Sequence, residues 1–246
     1  MLPLVILFLA SAWAGAQNAL AGGGSFITLP SLMFTGMNVQ AANITSTVAL
    51  FPAQLASGWT GRHNVFGAAG LSFGFLVVIS LVGGALGAVL LLVTSPAFFA
   101  KLVPWLVLFA TGLFAWGSFG PKGEPKSNLG RFGAMTAQFL ISIYGGYFGG
   151  GIGFLMLAAL TAAGLLIRNA GATKNVLAGM MNASAVAVFA FAPQVHWYQA
   201  AIAGAGAMIG GIAGGLLFNR VNEKALRVVV VLIGIALTIG LFIKAP

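Results

Sequence analysis

No formally charged side chain precedes Arg62, and those that follow stand singly or in small groups at the ends of long neutral runs. Charged residues make up 5% of the 246 positions, and the only acidic ones are Glu124 and Glu223. A soluble domain carries about 25%. So few charges cannot clothe a water-exposed surface, so lipid must be the solvent for most of it. The 36 glycines agree, because small residues let membrane helices approach closely. The expected class is an all-α, multi-pass integral membrane protein. A net charge of +9 would suit a nucleic-acid binder. Basic residues confined to the ends of apolar runs instead read as topology signals facing anionic lipid, so membrane lipid is the expected partner and nucleic acid is not. The absence of cysteine excludes disulfides, thiol catalysis and cysteine-ligated metal. Residues 1–16 loosely resemble a signal peptide but lack a positive n-region and run into a motif that recurs later, so they read as mature structure.

That recurrence organises the chain. Gly22-Gly23-Gly24 returns as Gly149-Gly150-Gly151, Gly83-Gly84 with Gly87 as Gly210-Gly211 with Gly214, and Gly112-Leu113-Phe114 as Gly240-Leu241-Phe242, all at an offset of 127 to 128 residues. The expected organisation is a first membrane repeat over 1–120, a polar linker over 121–131 and a second membrane repeat over 132–246. Each repeat opens with an apolar arm (3–21, then 132–148) that runs into the glycine triplet. A shorter arm follows (25–36, then 152–167). Three longer segments complete it: 41–61, 65–93 and 103–119, then 172–192, 198–218 and 225–243. The arm 25–36 reaches only about 18 Å at 1.5 Å per residue, too short to span a bilayer.

Charge decides between two topologies. If the two arms together cross once, each repeat crosses four times and the basic residues divide without bias. If they form a re-entrant, glycine-broken hairpin, each repeat crosses three times and the repeats are inverted. Arg62, Lys122, Lys126, Arg131, Arg168, Lys174, Arg220, Lys224 and Arg227 then share one side, leaving Lys101 and Lys244 opposite. The positive-inside rule favours the second arrangement, a recurrent plan among transporters.

Three groups of residues are candidates for binding a solute. The triplets Gly22, Gly23, Gly24 and Gly149, Gly150, Gly151 uncover backbone amides at membrane depth. The short arms opening at Ser25 and Ile152 aim their positive helix ends at the same spots, which suits an anion. Close packing is the competing reading. Asn43, Thr47 and Gln54 form a polar stripe on one helix, and Asn175 and Asn182 fall at the positions equivalent to Thr47 and Gln54. Such groups either hydrogen-bond an anion or join helices. Lys174 stands where the first repeat has Ser46, as a counter-ion for the solute or a lysine that snorkels to the interface. Arg168 reads as a topology mark, and His63 and His196 as interfacial residues. No Asp or Glu falls inside a span, which removes the usual proton relay or sodium cage and favours anions. No Walker loop, zinc-ligand spacing or nucleophile–base pair is present, so neither a cofactor nor an enzymatic activity is expected.

Two stretches carry a resemblance. The run Ala21-Gly22-Gly23-Gly24-Ser25-Phe26-Ile27-Thr28-Leu29-Pro30, followed by Ala42-Asn43-Ile44-Thr45-Ser46-Thr47-Val48-Ala49-Leu50, is similar to the sulfite exporter TauE/SafE family. The second repeat matches at Phe148-Gly149-Gly150-Gly151-Ile152-Gly153, Thr173-Lys174-Asn175-Val176-Leu177, Asn182 and His196-Trp197. Ile44 replaces the usual Ala, and Gln54 stands where Gly is common. The resemblance implies a bacterial inner-membrane permease for sulfite, sulfonates or related sulfur-containing anions. It leaves the oligomeric state open. The rival reading is a membrane scaffold or assembly factor for a partner enzyme, which the lack of large soluble loops disfavours.

Overall fold

A computed structural model describes residues 2–20, 23–120, 129–217 and 223–244, and every regular element among them is helical. The α-helices are α1 (Leu2–Leu20), α2 (Ser25–Phe34), α3 (Val39–Gly61), α4 (Phe73–Val93), α5 (Pro96–Phe119), α6 (Arg131–Tyr147), α7 (Ile152–Ala162), α8 (Ile167–Phe189), α9 (Trp197–Leu217) and α10 (Glu223–Lys244). Most of the expected polar linker, with Lys122, Glu124 and Lys126, lies outside the described residues, as do Gly22 and Arg220.

Local chemistry sets the boundaries, and several differ from expectation. The segment expected over 65–93 begins only at Phe73, because Gly70 at φ +75 and Ala69 at φ 50 make a turn before it. Ser72 caps α4 by accepting from the Phe75 amide at 3.2 Å. The segment expected from 103 instead starts at Pro96, with Ser95 as its cap, since proline opens a helix as readily as it breaks one. The second short arm stops at Ala162, where Gly164 turns at φ +96, and α8 then starts at Ile167 rather than 172.

α4 and α5 are each long and apolar enough to cross a membrane. Leu90, Leu108, Ile212 and Leu232 are large apolar side chains left on the outside. Trp59 and Trp116 are exposed near one end of the bundle, and Trp197 and Tyr198 near the other, as membrane-interface belts require.

Contacts between named residues give the helix directions. On α3 and α8, Gln54 meets Asn182 and Gly58 meets Asn175, so the two helices run antiparallel. α9 runs with α3, since the His196 amide donates to Thr45 Oγ1 at 3.2 Å and Gly204 lies against Ala49. α1 runs with α9, pairing Phe8 with Gly206 and Ala12 with Gly210. α4 runs with α6, pairing Ser80 with Gln138 and Gly87 with Ile143. It also runs with α8, since Phe66, in the turn before α4, bonds Thr173 and Gly84 meets Met181. α5 opposes α6 through Phe99–Tyr147 and Phe109–Tyr144. It opposes α10 through Trp105–Phe242 and Thr111–Gly234. α2 folds back beside α3, with Thr28 against Ser46, and α7 beside α8, with Gly153 against Lys174. Successive helices therefore alternate in direction, and α1 with α2 forms a hairpin, as does α6 with α7.

The closest approaches use glycine. A Cβ on Gly210 would overlap the Ala12 carbonyl, and one on Gly87 the Ile143 carbonyl. Without a hydrophobic drive between helices in lipid, such approaches supply the dispersion contact that holds them together. Both join a helix of the first 120 residues to one of the last 116. Gln138 reinforces the α4–α6 seam by donating to Ser80 Oγ at 2.9 Å inside it.

Candidate functional site

The two glycine breaks meet near one residue. Phe114 of α5 lies edge-on to Phe26 in the first turn of α2, at 6.4 Å between ring centres, and to Phe154 in the first turn of α7, at 4.6 Å. α2 and α7 run in opposite directions, so their positive N-terminal ends face each other across that ring. Gly23 (φ +83) turns the chain into α2, while Gly149 (φ +82) and Gly151 (φ +75) turn it into α7. These are left-handed conformations that side chains resist. Gly22 lies outside the described residues. Gly24 is the N-cap of α2 and Ser25 its first residue.

The breaks differ in how their backbone is answered. Before α2, the Gly24 amide donates to Asn18 Oδ1 at 3.5 Å and the Phe26 amide to the Gly23 carbonyl at 3.0 Å. Thr28 Oγ1 lies 2.5 Å from Ser46 Oγ, with both groups buried. Before α7, Gly151 caps the helix in a left-handed conformation, and like Gly24 it has no side-chain cap. The first amide of this helix start to find a backbone acceptor is that of Phe154, which donates to Gly151 at 3.1 Å. The amides of Gly150, Gly151, Ile152 and Gly153 have no hydrogen-bond acceptor among the described residues, whereas at the first break those of Gly24 and Phe26 have one and those of Gly23 and Ser25 do not.

Lys174 lies beside that second break. Its Nζ would sit 3.6 Å from a Cβ built on Gly153. The stem is half-buried, the ammonium is deeply enclosed, and no hydrogen bond or ion pair reaches it among the described residues. A cation next to a helix N-terminus is repelled by the dipole, so the arrangement concentrates positive potential with no negative group to offset it. Arg168, read as a topology mark, and His63 and His196, read as interfacial, are all exposed.

The polar stripe divides differently from its sequence pattern. Asn43 Nδ2 donates at 3.2 Å to the carbonyl of Tyr147, the last residue of α6, and so anchors the chain where it enters the second break. Thr47 Oγ1 turns back to the Asn43 carbonyl at 3.0 Å. Gln54 and Asn182, which are 128 residues apart, bond each other at the α3–α8 crossing. The Asn175 carbonyl packs near Gly58 at that crossing. Gly179, between the two asparagines on α8, is buried, yet a Cβ there would meet nothing within 4 Å. Gln54, Asn175 and Asn182 thus lie along the α3–α8 crossing with open space at Gly179, Asn43 reaches α6, and Lys174 faces α7, so the structure does not bring them into one cluster. Sequence reading missed Thr28, Asn18 and Gly153. Thr28 stands four residues after Gly24, the spacing at which a hydroxyl reaches back to a helix's first carbonyl, and that spacing was the available signal.

A bundle of alternating apolar helices, two of them broken by glycine at the same depth, defines a polytopic membrane protein of the transporter class. The sequence profile described as "Sulfite exporter TauE/SafE" matches residues 7–241, and the chain belongs to that family of membrane transporters. It is 31% identical over 242 residues to a "Probable membrane transporter protein" of Haemophilus influenzae, covering 96% of this chain and 92% of that one. It is 30% identical to "Probable membrane transporter protein ORF9" of Sinorhizobium sp, covering 97% and 92%. It is 25% identical to "Probable membrane transporter protein YfcA" of Escherichia coli K12, covering 94% and 86%.

Proposed function

We propose that the protein is an inner-membrane transporter of a small sulfur-containing oxyanion such as sulfite or a sulfonate, working by alternating access between two inverted repeats. The observation that carries the reading is the meeting of α2 and α7 at Phe114, each presenting its N-terminal end from an opposite direction. Opposed broken helices near the midplane give a solute one site that either face of the membrane can reach. The opposite directions of the equivalent helices α3 and α8, and of α5 and α10, support inversion.

Charge placement agrees with that reading. Arg62, Arg131, Arg168, Lys224 and Arg227 belong to helix ends on the side where α5 ends and α6 begins, while Lys101 and Lys244 belong to the other; Lys174 lies two turns inside α8. The first side is then cytoplasmic. The glycine seams α1–α9 and α4–α6 join helices of opposite repeats, so the moving units are built from both. Proteoliposomes loaded with radiolabelled sulfite test the proposal. Saturable efflux above that of empty liposomes is expected, and a rate no higher than empty liposomes for sulfite, sulfate and a short alkylsulfonate would sink it.

A further inference from the structure

We propose that each chain binds a single oxyanion, held at the second break by Lys174 and the amides of Gly150, Gly151, Ile152 and Gly153, while the first break is closed by its own side chains and binds none. This deepens the transport reading and rests on the solute being an anion. The argument compares equivalent positions. Asn18, which answers the Gly24 amide, corresponds to Gly145, which has no side chain to offer. Thr28, whose hydroxyl meets Ser46, corresponds to Leu155. Phe26, which fills the first turn of α2, corresponds to Gly153, beside which only the Lys174 ammonium lies within 4 Å of a built Cβ. Ser46 itself corresponds to Lys174.

Every one of these differences acts in the same direction. Asn18 and Phe26, which answer and fill the first break, have no side-chain counterpart at the second, and a cation replaces a hydroxyl. Four consecutive amides without acceptors supply directional donors to several oxygens of one group, and glycine turns of positive φ on either side of Gly150 give the segment the backbone of an anion nest. The enclosed, unpartnered ammonium supplies the charge. Together they match a compact anion with three or four equivalent oxygens. A carboxylate has too few acceptors to engage four amides and an ammonium at once. Asn43 holds the Tyr147 carbonyl, which keeps the nest in place from the α3 side.

The test is binding of radiolabelled sulfite to purified protein in lipid nanodiscs, with sulfate and acetate as competitors, alongside flux in liposomes. One sulfite per chain is expected, displaced by sulfate and not by acetate. Lys174→Gln should weaken binding by about tenfold or more, the order expected when a partly desolvated charge pair is lost, and Lys174→Arg should restore part of it. Gly153→Ala separates function from packing. Its methyl group makes only ordinary contact and favours the helix, so thermal stability should hold or rise, while binding falls several-fold because the methyl occupies the anion's place. Thr28→Val, at the first break, should leave sulfite affinity unchanged. Two sulfites per chain, or unaltered affinity in folded Lys174→Gln and Gly153→Ala, would overturn the single-site proposal while transport itself stood. Wild-type protein that neither binds nor moves sulfite or sulfate would remove the transport reading and this proposal with it.

Discussion

At the break before α2, Asn18 reaches the Gly24 amide and the hydroxyls of Thr28 and Ser46 answer each other. At the break before α7, the same positions hold Gly145, Leu155 and Lys174. The backbones also turn differently: Gly23 is left-handed at φ +83 and Gly24 helical at φ −55, whereas of their equivalents Gly151 is left-handed at φ +75 and Gly150 is not. The contrast teaches that one glycine triplet can take two paths into a short helix. Glycine permits both, because it is at ease with left-handed dihedrals. On the single-site proposal, the side chains around each break decide which donors are answered internally and which are kept for a solute.

Four experiments would break or sharpen that comparison. The largest expected effect is all-or-none. If the breaks belong to inverted repeats, a cysteine placed in the 121–128 stretch should resist an impermeant thiol reagent applied outside, while cysteines at positions 2 and 245 label fully. Labelling of the linker together with position 2 from the same side would make the repeats parallel and the opposition at Phe114 accidental. Next is Gly151→Val. The residue sits at φ +75 and its Cβ would lie 3.2 Å from Ala110 Cα, so sulfite flux should fall to background. Gly23→Val faces a similar backbone barrier but should chiefly lower the melting temperature and yield, with affinity kept in the folded fraction. Equal loss of affinity in both would mean that the breaks share the solute.

Smaller effects come from the polar contacts. Replacing Asn182 with Leu leaves Gln54 without this partner in a part-buried site, at a cost of about 1–3 kcal/mol. The double change with Gln54→Leu should recover part of that loss in a denaturation series. Full additivity would show that the pair is not coupled. Thr28→Val should cost least, about 1 kcal/mol of stability for one buried hydrogen bond, with sulfite flux intact. A large loss of flux would return the first break to the binding machinery.

Much of the helical plan was legible because lipid makes it so. A chain this poor in charge has few other solutions, and the segments expected over 41–61 and 172–192 appear as α3 and α8, both of 23 residues. Boundaries were less legible where glycine and proline have two uses. Pro96 starts α5 and Gly67 to Gly70 delay α4, although both stretches read as apolar. The site was partly legible. Lys174 and the second triplet were picked out separately, and the structure puts them side by side. Asn43 and Gln54 were picked out as a common stripe, yet one holds the Tyr147 carbonyl and the other meets Asn182. Periodicity gives the face of a helix and not the helix that lies opposite it, so the partner of each amide was beyond the reach of spacing alone.

The seam between α1 and α9 has a consequence for how the protein is made. Gly206 and Gly210 of α9 lie against the backbone of Phe8 and Ala12, so α1 finds this partner only after α2 to α8 and α9 itself have been synthesised. Until then, the small-residue face of α1, including Ser11, Ala12 and Gly15, has lipid as its neighbour. The mild polarity of that face, one serine among apolar and small residues, lets the helix wait in the bilayer without needing a temporary partner. A strongly polar residue at Ala12 would therefore act during biogenesis, exposing the nascent chain to membrane quality control before the contact it disturbs has ever formed.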